Sequence, residues 1–351
     1  MIALGLNSGT SADGVSAALV RFSGRRVVPL GSSTTPYPKA LRARVQAARD
    51  AKAPELSALH ADLGRFFAKV AVGALKGRKA DVIGSHGQTV WHEPGRHTLQ
   101  LGEASFVAEA TRTPTVCDFR AADVAAGGQG APLMPILDAY LFAGMPVATL
   151  NLGGIANLAF PGKGFADTRG FDTGPGNCLL DEAMRIAYGK EFDRDGAVAD
   201  RGTVDLALVK RLHHPWLRKA PPKSTGPELW SREFLLERAG RELKRRPADV
   251  VASLAWFTAK TVADAMARWG RPVQELIVSG GGVYNRTLMS HLEWAVWPAT
   301  PRPIDVYGLA PQAKEPVLFA LLAALALKGR PAGMPSVTGA RRSAVLGKIV
   351  R

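Results

Sequence analysis

The chain has 351 residues, 46% of them hydrophobic and 21% charged, with a formal net charge of +15. That is ordinary globular composition, which excludes extended disorder, and at about 150 residues per domain the length predicts roughly two domains. The basic residues are dispersed, with moderate clusters at Lys210-Arg211, Arg218-Lys219 and Arg238 to Arg246 and no zinc finger, RNP-like motif or long basic arm. A solvated basic surface that steers anionic ligands is expected, with no nucleic acid as partner. No basic leader precedes Arg21, and the apolar run Val317 to Leu327 is too short to cross a bilayer, so a soluble cytoplasmic chain without membrane contact is expected. Cys117 and Cys178 are isolated and fit neither a disulfide framework nor metal-ligand spacing.

In chain order, Ile2 to Ser8 and the alternating run Val15 to Phe22 flank a polar glycine turn and predict a hairpin. Helical patterns follow at 40–50 and 53–75, then a buried strand at 81–84 ending in Ser85-His-Gly-Gln-Thr-Val-Trp-His92. The first lobe is expected to close near Thr115 to Arg120. The stretch Ala125 to Pro135, rich in glycine and proline, is the expected crossing between lobes. Ala148 to Phe160 predicts a second hairpin around Gly153-Gly154. Helices are predicted at 177–188, 204–212, 232–245, 250–269 and 315–328, with Pro247 and Pro272 as breaks. A third glycine element, Ser279-Gly-Gly-Gly282, ends the apolar run that begins at Glu275.

Glycine turns at strand ends expose successive backbone N–H groups and let a phosphate approach without a Cβ in the way. None of the three matches a Walker A loop or a dinucleotide fingerprint. Two facing turns can hold a nucleoside triphosphate between two lobes.

Taken together, the segments Ser8-Gly-Thr-Ser-Ala-Asp-Gly14, Gly84-Ser-His-Gly-Gln-Thr-Val-Trp-His92, Asp118-Phe-Arg-Ala-Ala-Asp123, Gly127-Gly-Gln-Gly-Ala-Pro132, Asn151-Leu-Gly-Gly-Ile-Ala-Asn157, Gly170-Phe-Asp-Thr-Gly-Pro-Gly-Asn177, Pro221-Pro-Lys-Ser-Thr-Gly226 and Ser279-Gly-Gly-Gly-Val-Tyr-Asn285 resemble the signature series of anhydro-N-acetylmuramic acid kinase. They occur in that family's order and span almost the whole chain. The resemblance implies an α/β fold of two ribonuclease H-like lobes around a central ATP and substrate cleft, the actin-like ATPase fold. It places 1–122 with 338–351 in the N-terminal lobe and 123–337 in the C-terminal lobe. It implies a cytoplasmic homodimer that converts 1,6-anhydro-N-acetylmuramate, ATP and water to N-acetylmuramate 6-phosphate and ADP in peptidoglycan recycling. A related sugar kinase acting on a free hydroxyl is the alternative.

The resemblance also implies residue roles. Asp172 is the expected base for water; on composition alone it would merely order a turn. ATP is expected at Gly9, Thr10, Ser11, Ala12, Asp13, Gly14, Val15 and Ser16, at Gly153, Gly154 and Asn157, and at Gly280, Gly281 and Gly282. Asp13 would position hydrated magnesium. Ser16 departs from the family, which usually has aspartate there. Sugar contacts are expected from Gln88, Thr89, His92 and Gln129, with His86 and His92 either structural or touching substrate. Glu315 either faces the sugar or sits at its helix start for the macrodipole.

Overall fold

The computed structural model describes every residue except Thr10, Ser11 and Pro227. Its elements run β1 (Ile2–Ser8), β2 (Gly14–Ser23), β3 (Arg26–Pro36), α1 (Lys39–Gln46), α2 (Ala53–Leu75), β4 (Val82–Glu93), β5 (His97–Leu101), α3 (Ala104–Thr111), β6 (Thr115–Cys117), α4 (Ala121–Ala125), α5 (Met134–Phe142), β7 (Val147–Leu152), β8 (Ile155–Phe160), β9 (Arg169–Pro175), α6 (Cys178–Tyr188), α7 (Leu206–Arg211), α8 (Arg232–Arg245), α9 (Pro247–Trp269), β10 (Glu275–Ser279), α10 (Arg286–Ala295), β11 (Thr300–Pro303), α11 (Lys314–Leu327), α12 (Pro335–Thr338) and β12 (Lys348–Val350).

Two sheets repeat one plan. In the first, β1, β2 and β3 form an antiparallel meander, β4 joins β1 in parallel, and β6 joins β4 in parallel. The path is β12-β6-β4-β1-β2-β3, with β5 paired to β4. In the second, β7, β8 and β9 form the meander, and β10 and then β11 add in parallel on the other side of β7. Three antiparallel strands followed by two parallel ones, in the order 3-2-1-4-5, is the ribonuclease H-like arrangement. The chain is an α/β protein carrying it twice, as in actin-like ATPases and sugar kinases.

Compact units divide the chain as Met1–Ala143, Lys163–Asp167 and Ala313–Arg351 on one side, and Gly144–Gly162 with Thr168–Gln312 on the other. The expected boundaries at 122/123 and 337/338 are thereby shifted, for two physical reasons. First, the glycine-rich stretch at 125–135 is not the crossing. Buried Asp123 accepts hydrogen bonds from the Gly130 N–H and from the Thr338 hydroxyl, both 2.8 Å, while the Gln129 N–H donates to the Thr338 carbonyl, so this stretch is laced into the first unit. Second, α11 packs on β1, β2 and β4 although it lies late in sequence. Gly5 and Gly84 are register partners on β1 and β4, and a Cβ at either would overlap α11 backbone, the Pro316 carbonyl in one case and the Phe319 carbonyl in the other. The helix therefore lies on a glycine window in the sheet.

The first unit buries Leu4, Leu6, Val15 and Leu19 of its sheet against Leu59, Leu63 and Phe67 of α2. In the second, α9 is the central element. Leu254 and Phe257 pack with α6 and α8, while Ala259 and Val262 pack on Leu150, Leu158 and Phe171 of the sheet. Pro247 is the first residue of α9, a position where its missing N–H costs nothing, rather than a break before a later start. Helices α3, α5 and α10 and strands β3 and β9 lack strong periodic signals and are additions to the sequence reading.

Candidate active site

Strand β9 is an edge of the second sheet and carries Asp172 at its middle. Beyond that edge the Pro221 to Gly226 segment continues the pairing. The Asp172 N–H donates to the Lys223 carbonyl (3.2 Å), and the Thr225 N–H (2.8 Å) and Ser224 hydroxyl (3.0 Å) donate to Asp172 Oδ2. From β8, the register partner Asn157 donates its side-chain amide to Oδ1. A carboxylate has about four acceptor sites, so three donors hold this one in place and leave capacity on Oδ1 for one more.

Burial pushes Asp172 up to about 6, opposed by the Thr225, Ser224 and Asn157 hydrogen bonds and by the charge of Lys223. Lys223 is itself buried, donates to the Leu217 carbonyl (3.0 Å) and lies 4.5 Å from the centroid of the Trp216 ring. Burial lowers its ammonium to about 8, with the charge of Asp172 acting in the opposite sense. A carboxyl titrating near 6 is largely ionised at neutral pH and basic enough to accept a proton from water. Because the reactive form is the anion, activity is expected to fall as pH drops through about 6. Lys223→Met removes the charge that favours the anion, so the acid limb of the pH profile should move to higher pH. An unmoved limb in that variant would separate Lys223 from Asp172.

In the first unit a second polar cluster forms where β1 and β4 end. Glu315, in the first turn of α11, accepts a hydrogen bond from the Asn7 amide of β1 (2.5 Å). It keeps exposed surface while lying in a recess; burial raises its carboxyl, and the Arg120 charge, the Asn7 bond and Lys314 draw it back. Arg120 donates through Nε to His86 Nε2 (3.1 Å) and through a terminal nitrogen to the Gly130 carbonyl (2.9 Å). Burial lowers Arg120 to about 10, with Glu315 opposing. His86 is buried and stacked on Phe319 with centroids 4.3 Å apart, and its Nδ1 faces the Gly87 carbonyl (3.1 Å). Burial and Arg120 hold it well below the usual histidine range, so it is neutral, with both nitrogens occupied by protein. One of those protein partners is the Arg120 guanidinium. His92 is half-buried, with Nδ1 on the Thr98 hydroxyl (3.1 Å); burial, Arg120 and His97 lower it to about 4. Thr89 Oγ1 accepts a long bond from Gln100 (3.4 Å). The side chain of Gln129 has no hydrogen bond among the described residues, its N–H being tied to Thr338.

Gln88 is buried inside the first turn's support. Its Oε1 accepts from the Ser8 hydroxyl (2.5 Å), and its Nε2 donates to the carbonyls of Gly9 (3.2 Å) and Thr89 (3.3 Å). It thus shapes the glycine turn rather than projecting away from it. Thr10 and Ser11 lie outside the described residues. Ala12 takes the left-handed conformation, and its N–H closes on the Gly9 carbonyl (3.1 Å). Val15 is fully buried, with its side chain in the core, and is the register partner of Thr35 on β3. The hydroxyls of Ser16 and Thr34 on β3 hydrogen-bond at 3.0 Å. Gly14 is needed for packing, since a Cβ there would overlap the Thr35 carbonyl. Asp13 is exposed and bonded to Arg42 through Oδ1 (2.7 Å), which leaves Oδ2 without a partner among the described residues. A hydrated magnesium that takes most of its ligands from phosphate and water fits one such carboxylate oxygen.

In the second unit the turns differ in what their glycines do. Gly153 and Gly154 close the β7–β8 hairpin with only loose neighbours for a Cβ. Gly280 has φ +85° and would strike the Leu152 carbonyl, and Gly282 is packed against Leu152. At Gly281 a Cβ would meet nothing within 4 Å.

A family model for anhydro-N-acetylmuramic acid kinase matches residues 1–351. The chain belongs to the anhydro-N-acetylmuramic acid kinase family. It is 44% identical to the anhydro-N-acetylmuramic acid kinase of Xanthomonas axonopodis pv. citri, covering 99% of this chain and 97% of that one. It is 42% identical to the Streptomyces coelicolor protein of the same name, covering 99% and 93%. Among solved structures, the activator of 2-hydroxyisocaproyl-CoA dehydratase from Clostridium difficile superposes with a TM-score of 0.49 at 13% identity, over 92% of this chain and 94% of that one.

For a member of the anhydro-N-acetylmuramic acid kinase family, the additions of most chemical interest are Asn7, Arg120, Lys223, Ser224 and Thr225. Each lies in or beside a motif visible in the sequence. Their roles depend on side chains meeting across elements up to 308 positions apart, as Asn7 and Glu315 do.

Proposed function

We propose that this kinase hydrolyses the 1,6-anhydro bridge of 1,6-anhydro-N-acetylmuramate and phosphorylates the freed 6-oxygen with ATP, giving N-acetylmuramate 6-phosphate and ADP in peptidoglycan recycling. The observation that carries the reading is Asp172, a buried carboxylate held by three donors and tuned to about 6 within a chain of this family. Asp172 takes a proton from water as that oxygen bonds to the anomeric carbon. The bond from that carbon to O6 breaks, and its electron pair stays on O6. O6 then attacks the γ-phosphorus of ATP and ADP departs. Glu315, Arg120, Thr89, His92 and Gln129 are assigned to the sugar, with His86 and Asn7 holding Arg120 and Glu315. Hydrogen-bond donors in the turns at 9–16 and 153–154, with Asn157, are assigned to phosphate, and 280–282 to the adenosine end. Magnesium held near Asp13 supplies charge neutralisation on the triphosphate when bound.

Turnover on the anhydro sugar, on free hexoses and without sugar tests the proposal. Phosphorylation of the anhydro sugar alone is expected. Equal phosphorylation of free hexoses favours an ordinary sugar kinase, and sugar-independent ATP hydrolysis an ATPase. The same family resemblance supports a cytoplasmic homodimer, and no helix among the described residues is long and apolar enough to cross a membrane. A monomer mass by light scattering would contradict the dimer.

Because Gly281 has open space around it, Gly281→Leu is expected to fold normally while its side chain excludes the adenosine end and raises the Kd for ATP. Unchanged ATP binding in a folded Gly281→Leu protein would remove 280–282 from the nucleotide site.

A further inference from the structure

A cavity of about 490 Å³ lies in the second unit, bounded by Thr173 of β9 and by α7 and α9. Thr173, the residue that the β8–β9 register skips, lines the cavity together with α9, whereas Asp172 and its partners Asn157, Ser224 and Thr225 are not part of the lining. The floor is apolar, built from Val209, Leu217, Phe257 and Ala265. The rim is cationic, with Lys210, Arg218, Lys260 and Arg268 against the single carboxylate of Asp264. That carboxylate is paired with Lys260 at 3.0 Å. The other three cations enter no ion pair among the described residues. His213 at the same rim is shifted down by partial burial and by Arg218, so at neutral pH it adds a hydrogen-bonding ring rather than a charge.

We infer that this cavity is a second ligand site, separate from Asp172, for a small organic anion with a ring or other apolar body and a phosphate or carboxylate head. The volume is in the range of small-molecule pockets, and an apolar floor with a few polar groups at one side is how such pockets fix orientation. Three cations without an ion pair among the described residues, lining one apolar recess, favour an anionic head with an apolar body over an ion alone or a neutral molecule. The site also has a short route to the catalytic loop. Leu217 forms part of its wall, and the Leu217 carbonyl holds the Lys223 ammonium, next in sequence to the Ser224 and Thr225 donors of Asp172.

The test is calorimetric titration of the full chain with 1-naphthyl phosphate, with 1-naphthol and with inorganic phosphate, in the presence of a saturating non-hydrolysable ATP analogue. Saturable binding of one 1-naphthyl phosphate per chain is expected, with 1-naphthol and inorganic phosphate each about tenfold weaker or more. Arg218→Glu combined with Arg268→Glu should weaken 1-naphthyl phosphate about tenfold or more and leave the Kd of the ATP analogue unchanged. Both positions are exposed, so folding is expected to survive; if the double variant does not fold, Lys210→Glu on α7 serves in its place and should show a smaller loss. No binding, equal binding of 1-naphthol, undiminished binding in the variants, or displacement by the ATP analogue would each overturn the assignment.

Discussion

Asp172→Asn should depress turnover by about 10²- to 10⁴-fold, the usual contribution of a positioned general base, without unfolding the protein. Asparagine keeps the size of the side chain, and its carbonyl oxygen can still accept from Thr225 or Ser224, but it cannot take a proton from water. Ring opening and phosphoryl transfer should disappear together, because the 6-oxygen that attacks ATP exists only once the anhydro bridge has been cut. ATP affinity should survive. The carboxylate is engaged by Asn157, Ser224 and Thr225, and its proposed partner is water rather than the triphosphate. Single-turnover assay of the variant beside nucleotide titration reads both quantities. Near-normal sugar phosphate formation would remove Asp172 from the mechanism, and lost ATP binding would move it to the phosphate site.

Gly5→Val should be the most damaging single substitution in the first unit. A Cβ at Gly5 would overlap the Pro316 carbonyl and crowd the Ala320 N–H of α11, and backbone cannot move aside as a flexible side chain can. Small-to-large changes in packed cores cost about 1–3 kcal/mol, and a clash with helix backbone belongs at or beyond the top of that range, about 4 kcal/mol or more. Helix α11 also carries Glu315 to Asn7, so any protein that does fold should have lost this contact and with it much of its sugar affinity. Denaturant unfolding should show a large drop in midpoint. A midpoint near wild type would mean that helix and sheet are less tightly apposed than the structure has them.

These two residues show what could and could not be read from the chain. The hairpins at 2–22 and 148–160 and the helices at 53–75, 178–188 and 232–245 follow from alternation, helical periodicity and turn glycines, which are local signals. Strand β9 is less legible, because Phe-Asp-Thr-Gly-Pro reads as a turn. Its extended form is imposed by β8 on one side and by the Lys223 segment, 51 positions later, on the other. The boundary of the first unit fails in the sequence for the same reason. Nothing in the composition of α11 announces that it returns to lie on Gly5 and Gly84, nor does the glycine-rich stretch at 125–135 reveal that Asp123 and Thr338 hold it. Motif residues such as Asp172, Gln88 and Glu315 are visible as motifs. Their partners become visible only once the strands are paired.

Turnover in oxygen-18 water is the most direct test of the central claim that hydrolysis of the bridge and phosphorylation of its oxygen are one coupled reaction. The label should enter the anomeric hydroxyl of the product, read before exchange, and be absent from the phosphate ester and from inorganic phosphate. Label in released inorganic phosphate would mean that water attacks ATP, and an unlabelled anomeric oxygen would mean that water does not open the ring.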